Sequence, residues 1–368
     1  MSSKRIAVGI LFAVLAMNTC TLAMGQDAPD QQKSMAPSIT KSQSGGCTES
    51  CCPTWGDPCP CVYVQVGALL IQQVPRFNRQ PIVVDPNTST TFLSTSDLDS
   101  SFNPGLQATV GMCLCGGRAL EFDYFGLFGG NASADAVSPD SNAFLTFPGN
   151  LAGNVFVDMD RVEADYSSSI HSFAVNLLCC CGCCDQCCGD CCCGGVACQS
   201  WTWFAGFRYI NLNEELDILA ERDEVGGVED GSYNLRTSNN LYGTQLGARF
   251  RRTRGRFGWD ATGFAGIFGN DARQSQSVTD FPDVPLRPTV SSSRSGVAFV
   301  GGANLSGLYL LTNVWSLRAG YNLIWIEGVA LAPDQLDFNF AASPSGDQLR
   351  NGGGLFLHGA NVGVEARW

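Results

Sequence analysis

The last thirteen residues, FLHGANVGVEARW, alternate without a break. Phe356, His358, Ala360, Val362, Val364, Ala366 and Trp368 fall on one side. Leu357, Gly359, Asn361, Gly363, Glu365 and Arg367 fall on the other. A period of two places successive side chains on opposite faces of a strand, so one face is largely apolar while the other carries glycine and charge. Strands of soluble sandwiches usually run to five or six residues. One this long fits a tilted crossing between hydrocarbon and a polar interior.

The pattern recurs. In residues 240–251, Tyr242, Leu246, Ala248 and Phe250 oppose Gln245, Arg249 and Arg251. Residues 256–268 set Phe257, Trp259, Ala261 and Ile267 against Asp260 and Thr262. Residues 314–326 set Trp315, Leu317, Tyr321 and Leu323 against Ser316, Arg318 and Asn322. In 201–212, Trp201, Trp203, Phe207 and Tyr209 oppose Thr202 and Arg208; in 118–128, Leu120, Phe122 and Tyr124 oppose Glu121 and Asp123. Residues 62–70 and 106–114 alternate more softly, and 295–309 are glycine-rich. Residues 162–178 begin on one parity (Val162, Ala164, Tyr166) and finish on the other (Phe173, Val175, Leu177), which predicts a bulge.

Ten strands result, or twelve if a long link hides a hairpin. Links are short at 115–117, 252–255 and near Thr312-Asn313, and long and polar at 73–103, 129–161, 213–239, 269–294 and 327–353. Short turns at one end and long loops at the other predict an all-β, antiparallel transmembrane barrel of the bacterial outer membrane, with both termini periplasmic. Closure satisfies every backbone group in lipid, which an open sheet cannot do. Trp201, Trp203, Tyr209, Trp315, Trp325 and Trp368, near strand ends, suit interfacial girdles. A secreted soluble sandwich explains the alternation but not the strand length.

The other end of the chain supports export. Lys4 and Arg5 precede an apolar core (residues 6–16) and the small-x-small site Ala23-Met24-Gly25. That is a secretory signal peptide over 1–25. Residues before Cys20 lack the small side chains of a lipidation site. Residues 26–60 read as a flexible, cysteine-containing periplasmic leader, and 61–368 as the barrel. Removing Lys4 and Arg5, in a segment without acids, takes the formal charge from −12 to −14. So acidic a chain is a poor partner for nucleic acid.

With those residues in view, the chain resembles the putative beta barrel porin-7 family of bacterial outer-membrane proteins. The likeness is carried by the exported leader, GFRYINLNEEL (residues 206–216), NLYGTQLGAR (residues 240–249) and the glycine-rich terminal strand, and spans roughly residues 60–368. It implies outer-membrane location and barrel architecture more than transport. The terminal strand is also similar to the signal read by the barrel-assembly machinery, which gives Val364, Ala366 and Trp368 a targeting role.

One segment departs from that family. Residues 179–198, CCCGCCDQCCGDCCCGGVAC, contain eleven cysteines. The topology puts them in a periplasmic connection. Cys113 and Cys115 fall at another turn on that side, and Cys47, Cys51, Cys52, Cys59 and Cys61 just before the first strand. Export favours disulfide stapling of this rim, with Cys179 and Cys198 at its ends, to itself or to envelope partners. Adjacent cysteines cannot easily bridge each other, so staples must reach across segments. The CxxC spacings of Cys184, Cys187, Cys188 and Cys191 leave a thiolate metal site open, and a connection without fixed pairing is the third reading.

Catalytic signals are weak. His171 lies near Ser167, Ser168 and Ser169, and His358 sits in the last strand, yet neither has an acid in triad arrangement. Acid clusters (Asp158, Asp160, Glu163, Asp165; Glu214, Glu215, Asp217, Glu221, Asp223, Glu224) lack the ordered spacing of a calcium loop and read as solvated surface. No cofactor is expected and no enzyme. The inward charges Glu121, Asp123, Arg208, Arg249, Arg251, Asp260, Arg318, Glu365 and Arg367 mix signs. They either line a narrow path or close it, since barrels of about eight strands fill with side chains and open channels come nearer sixteen. Two functions follow: porin-like passive passage of small solutes, or a plugged structural barrel with its rim tied to itself or to envelope proteins.

Overall fold

A computed structural model describes residues 62–76, 78–98, 102–114, 118–139, 145–149, 155–156, 158–182, 198–224, 227–281, 284–339 and 346–367. The signal peptide, the leader with its cysteines, Cys115, the thiolate candidates Cys184, Cys187, Cys188 and Cys191, and Trp368 lie outside the described residues.

Ten antiparallel strands close a barrel: β1 (Val62–Arg76), β4 (Phe102–Leu114), β5 (Arg118–Val137), β6 (Arg161–Gly182), β7 (Cys198–Glu224), β8 (Gly227–Arg254), β9 (Phe257–Asp280), β10 (Val284–Leu310), β11 (Trp315–Val329) and β12 (Gly353–Arg367). The hairpin hidden in the first long link, β2 (Pro81–Val84) and β3 (Thr91–Ser94), forms its own two-stranded sheet. The barrel count is therefore ten. Closure runs from Tyr63↔Arg367 to Arg76↔Gly354, which brings the first and last strands' outer ends to one rim. The end of β4 and start of β5, the end of β6 and start of β7, and the end of β8 and start of β9 lie at that same rim.

Two expected loops are not loops. Residues 213–239 and 269–294 are mostly strand, because β7 and β8 run for 27 and 28 residues and β10 for 27. A bilayer crossing needs only about 9–11. These segments look polar because their outward side chains face water, while their inward ones, such as Leu216, Ile218, Tyr233 and Leu235, are buried. Polarity thus inverts partway up each long strand. Below the change the outside is apolar and the inside polar; above it the two faces exchange character.

Cross-strand rows locate the boundary. Phe173, Tyr209, Tyr242, Gly269 and Val297 lie side by side across β6–β10 as the last apolar row. The next row outward is His171, Asn211, Asn240, Asp271 and Ser295. The Tyr209 hydroxyl donates to Asn240 Oδ1 at 2.8 Å, an apolar ring with a wet end at the border. From Trp201 to Tyr209, β7 fills one bilayer crossing; its remaining residues carry the wall about 45 Å further along the strand.

The same inversion corrects the bulge expected in β6. Val162, Ala164, Tyr166, Ile170, Ala174 and Leu178 all point inward along an unbroken strand, and β6 pairs with β7 without a shift. The hydrophobic residues change parity because the environment changes, not the backbone. The bulge belongs to β5, between Leu127 and Gly130, where Gly129 takes φ +66°.

Loops fill the extended part. Ile82, Val83, Leu93, Leu145, Phe147, Phe156, Met159, Leu336 and Phe338 pack with Leu216, Tyr233 and Val278 in one buried cluster. Below it, Leu69, Leu127, Ile170, Leu212, Leu241, Phe268, Val300 and Leu355 form an apolar ring around Leu331 of the β11–β12 link. Hydrogen bonds fix that link in place. Asn239 donates to Ala330 O and accepts from Ala330 N, both at 2.8 Å, and Ala332 N donates to Glu214 Oε2 at 2.7 Å.

Candidate functional site

Beneath the apolar ring, the lumen gathers every inward charge read from the sequence. Each sits on the polar parity of a membrane-crossing segment. In one network, Arg251 and Arg318 alternate with Asp260 and Glu365. Arg251 bonds Asp260 Oδ2 at 3.0 Å and both Glu365 oxygens at 3.1 and 3.2 Å. Arg318 bonds Glu365 Oε2 at 2.7 Å and Asp260 Oδ1 at 3.0 Å, and Arg367 Nε adds a third cation on Glu365 at 2.5 Å. Four strands (β8, β9, β11 and β12) are thereby tied across the lumen, through carboxylates that are 1% and 3% exposed.

The second network joins β1, β5 and β8. Arg249 grips Glu121 with both terminal nitrogens, at 2.9 and 3.1 Å, while the Tyr63 hydroxyl donates to Glu121 Oε2 at 2.5 Å. Asp123 and Arg208 are bridged by amides. Thr109 Oγ1 and Asn176 Nδ2 donate to Asp123, Gln245 donates to Asn176, and Arg208 donates to Gln245 and Ser172. The Arg208 guanidinium also lies 4.6 Å from the Phe264 ring centre. Sequence parity pointed to the charged members. It put Gln245 on the polar face without a role and offered no reason to single out Asn176 or Ser172; Tyr63 came from a softly alternating strand.

A cavity of about 160 Å³ separates the networks. Ligand sites for small molecules usually reach about 300–1,000 Å³. Arginine keeps its charge at any accessible pH, and opposite signs here saturate one another, so the cluster is cohesive rather than selective. Tyr63 is seated by a glycine: a Cβ at Gly111, its cross-strand partner, would lie 1.9 Å from Tyr63 Cζ. Gly111→Val is expected to push the ring off Glu121 and lower barrel stability by about 1–3 kcal/mol, read as a fall in the urea midpoint of the reconstituted protein.

The other candidate residues scatter. His171 faces outward, 3.0 Å from the Tyr124 hydroxyl, and His358 lies 2.8 Å from the Tyr321 hydroxyl. Ser167 and Ser169 point out and Ser168 points in. The second acid cluster is not a loop but one strand, in which Glu214 is buried and Glu215 pairs outside with Arg236. Among the described residues no group of three metal-ligating side chains is found. Cys113 is buried at the end of β4, Cys179 lies opposite Arg118 and Trp203, and Cys198 opens β7, all at the rim that holds the start of β1 and the end of β12.

A family model described as putative beta barrel porin-7 matches residues 68–280. No curated protein matches the chain. Similar solved structures include the outer membrane protease OmpT from Escherichia coli, at 10% identity and TM-score 0.42 over 84% of this chain and 97% of that one. They also include a Pseudomonas aeruginosa FadL homologue, at 8% identity and TM-score 0.23 over 84% and 90%. A third is an anion-selective porin from Comamonas acidovorans, at 12% identity and TM-score 0.12 over 83% and 100%.

Proposed function

The chain belongs to the putative beta barrel porin-7 family, and on that premise we propose that it is a closed barrel of the bacterial outer membrane with a structural role. Its termini and cysteine rim face the periplasm, and its extended wall stands outside. The observation that carries this reading is the double closure of the lumen, by the arginine–carboxylate networks and by the apolar ring packed around Leu331. A water-filled path would have to break both. The cysteine rim is suited to linkage with itself or with envelope proteins, and the terminal strand to the barrel-assembly machinery. Planar bilayers doped with the purified protein are expected to stay silent in molar salt. Steady, salt-dependent conductance from the wild type would return the protein to passive passage of small solutes.

A further inference from the structure

Just outside the lipid boundary, the twisted wall has a concave groove of about 830 Å³ on its outer face. One row across it is Ser169, Asn213, Ser238, Arg273 and Ser293, directly paired along β6–β10. The row beyond it, two residues further along each strand, contributes Glu215, Arg236 and more serines. No outward side chain in either row is apolar. Glu215 accepts from Arg236 Nε at 2.7 Å. Arg273 is exposed and has no ion pair among the described residues. It sits diagonal to Arg236 across β8 and β9, within the reach of long side chains.

Hydroxyls in quantity and the Asn213 amide, with a guanidinium outside any ion pair, are the recognition chemistry of a phosphorylated sugar. One polar row, His171, Asn211, Asn240, Asp271 and Ser295, separates the groove from the row of Phe173, Tyr209, Tyr242 and Val297 that meets the hydrocarbon. A ligand that filled both would have a polar, anionic head and acyl tails. The chain's formal charge of −12 opposes general adhesion of anions, so attraction would be local to the arginines. We propose that this groove binds the phosphorylated sugar headgroup of an outer-leaflet glycolipid, with Arg273 on the phosphate and the serine rows on sugar hydroxyls. The proposal rests on the outward orientation of the extended wall given above.

The test uses the full chain in phosphatidylethanolamine–phosphatidylglycerol vesicles, with and without a bis-phosphorylated glucosamine-disaccharide glycolipid. Retained glycolipid is counted by native mass spectrometry after detergent extraction, against added glycolipid. Wild-type protein should retain it saturably, and Arg273→Gln should weaken retention by about tenfold or more. Arg254→Gln, at the opposite rim, should change nothing. Equal retention of the dephosphorylated glycolipid, or equal losses from both variants, overturns the proposal. Orientation is read separately, by an impermeant maleimide on intact cells carrying Asp230→Cys at the β7–β8 tip. Labelling together with lost discrimination sinks the groove and spares the barrel reading. Absence of labelling refutes the orientation, and the groove with it.

Discussion

Glu365→Leu is expected to cost the folded barrel about 3–5 kcal/mol, the usual consequence of breaking a buried ion cluster from one side. Three guanidiniums converge on this carboxylate: Arg251, Arg318 and Arg367. Without it, Arg251 and Arg318 keep only Asp260, and one acid cannot balance two buried cations that never deprotonate. The loss should appear as a lower urea midpoint in vesicles, followed by heat-modifiability on gels. Replacing the group as a whole, with Glu365→Leu, Asp260→Leu, Arg318→Leu and Arg251→Met together, should recover much of that stability, because an apolar filling removes the desolvation cost along with the attraction. If Glu365→Leu alone leaves the midpoint unchanged, the network does not close the lumen in the manner described. The proposed closed state would then lose its lower seal.

The second large effect is a pH dependence centred on Glu214. This residue stands above the lipid boundary, on the inward face of β7, and is 3% exposed. Around it are Tyr166 and Ser168 of β6, Thr237 of β8, and Ala332 and Asp334 of the β11–β12 link. Burial raises its carboxyl from 4.5 to about 7, against the Ala332 N–H, which favours the charged form; nearby Asp334 raises it further. The folded state therefore holds a proton that the unfolded state has released between these values. Stability is highest below about pH 4.5 as far as this group is concerned, and falls as pH rises to about 7. The span amounts to about 3 kcal/mol. Glu214→Gln should flatten that slope and leave the protein more stable than wild type at pH 8. Urea midpoints at pH 5 and pH 8 for both proteins decide it; parallel slopes would show that Glu214 does not carry the dependence.

Most of the barrel was legible from parity alone. Tyr242, Leu246 and Phe250 against Gln245, Arg249 and Arg251 report a wall with lipid on one side and a polar lumen on the other. Each inward charge chosen from the sequence reached the lumen because a side chain's face on a strand is fixed by counting in twos. The same counting failed above the boundary. There Ile218 and Leu216 lie inward while Glu215 and Asp217 lie outward, so a segment rich in acids looked like a loop. Alternation survives inversion, but its meaning depends on which face is wet, and sequence does not say where the membrane stops.

By itself, then, the chain determined a closed antiparallel sheet of ten or twelve strands and the residues facing its lumen within the membrane, since these follow from backbone geometry and the need to satisfy every peptide group in lipid. Only the tertiary structure decided that Arg251 and Arg318 share two carboxylates, that Leu331 returns into the barrel to complete an apolar ring, and that serines from four strands align beside Arg273. Some of those contacts join residues more than fifty positions apart, such as Arg318 and Asp260. Their register is set by closure of the whole wall, which no local pattern contains.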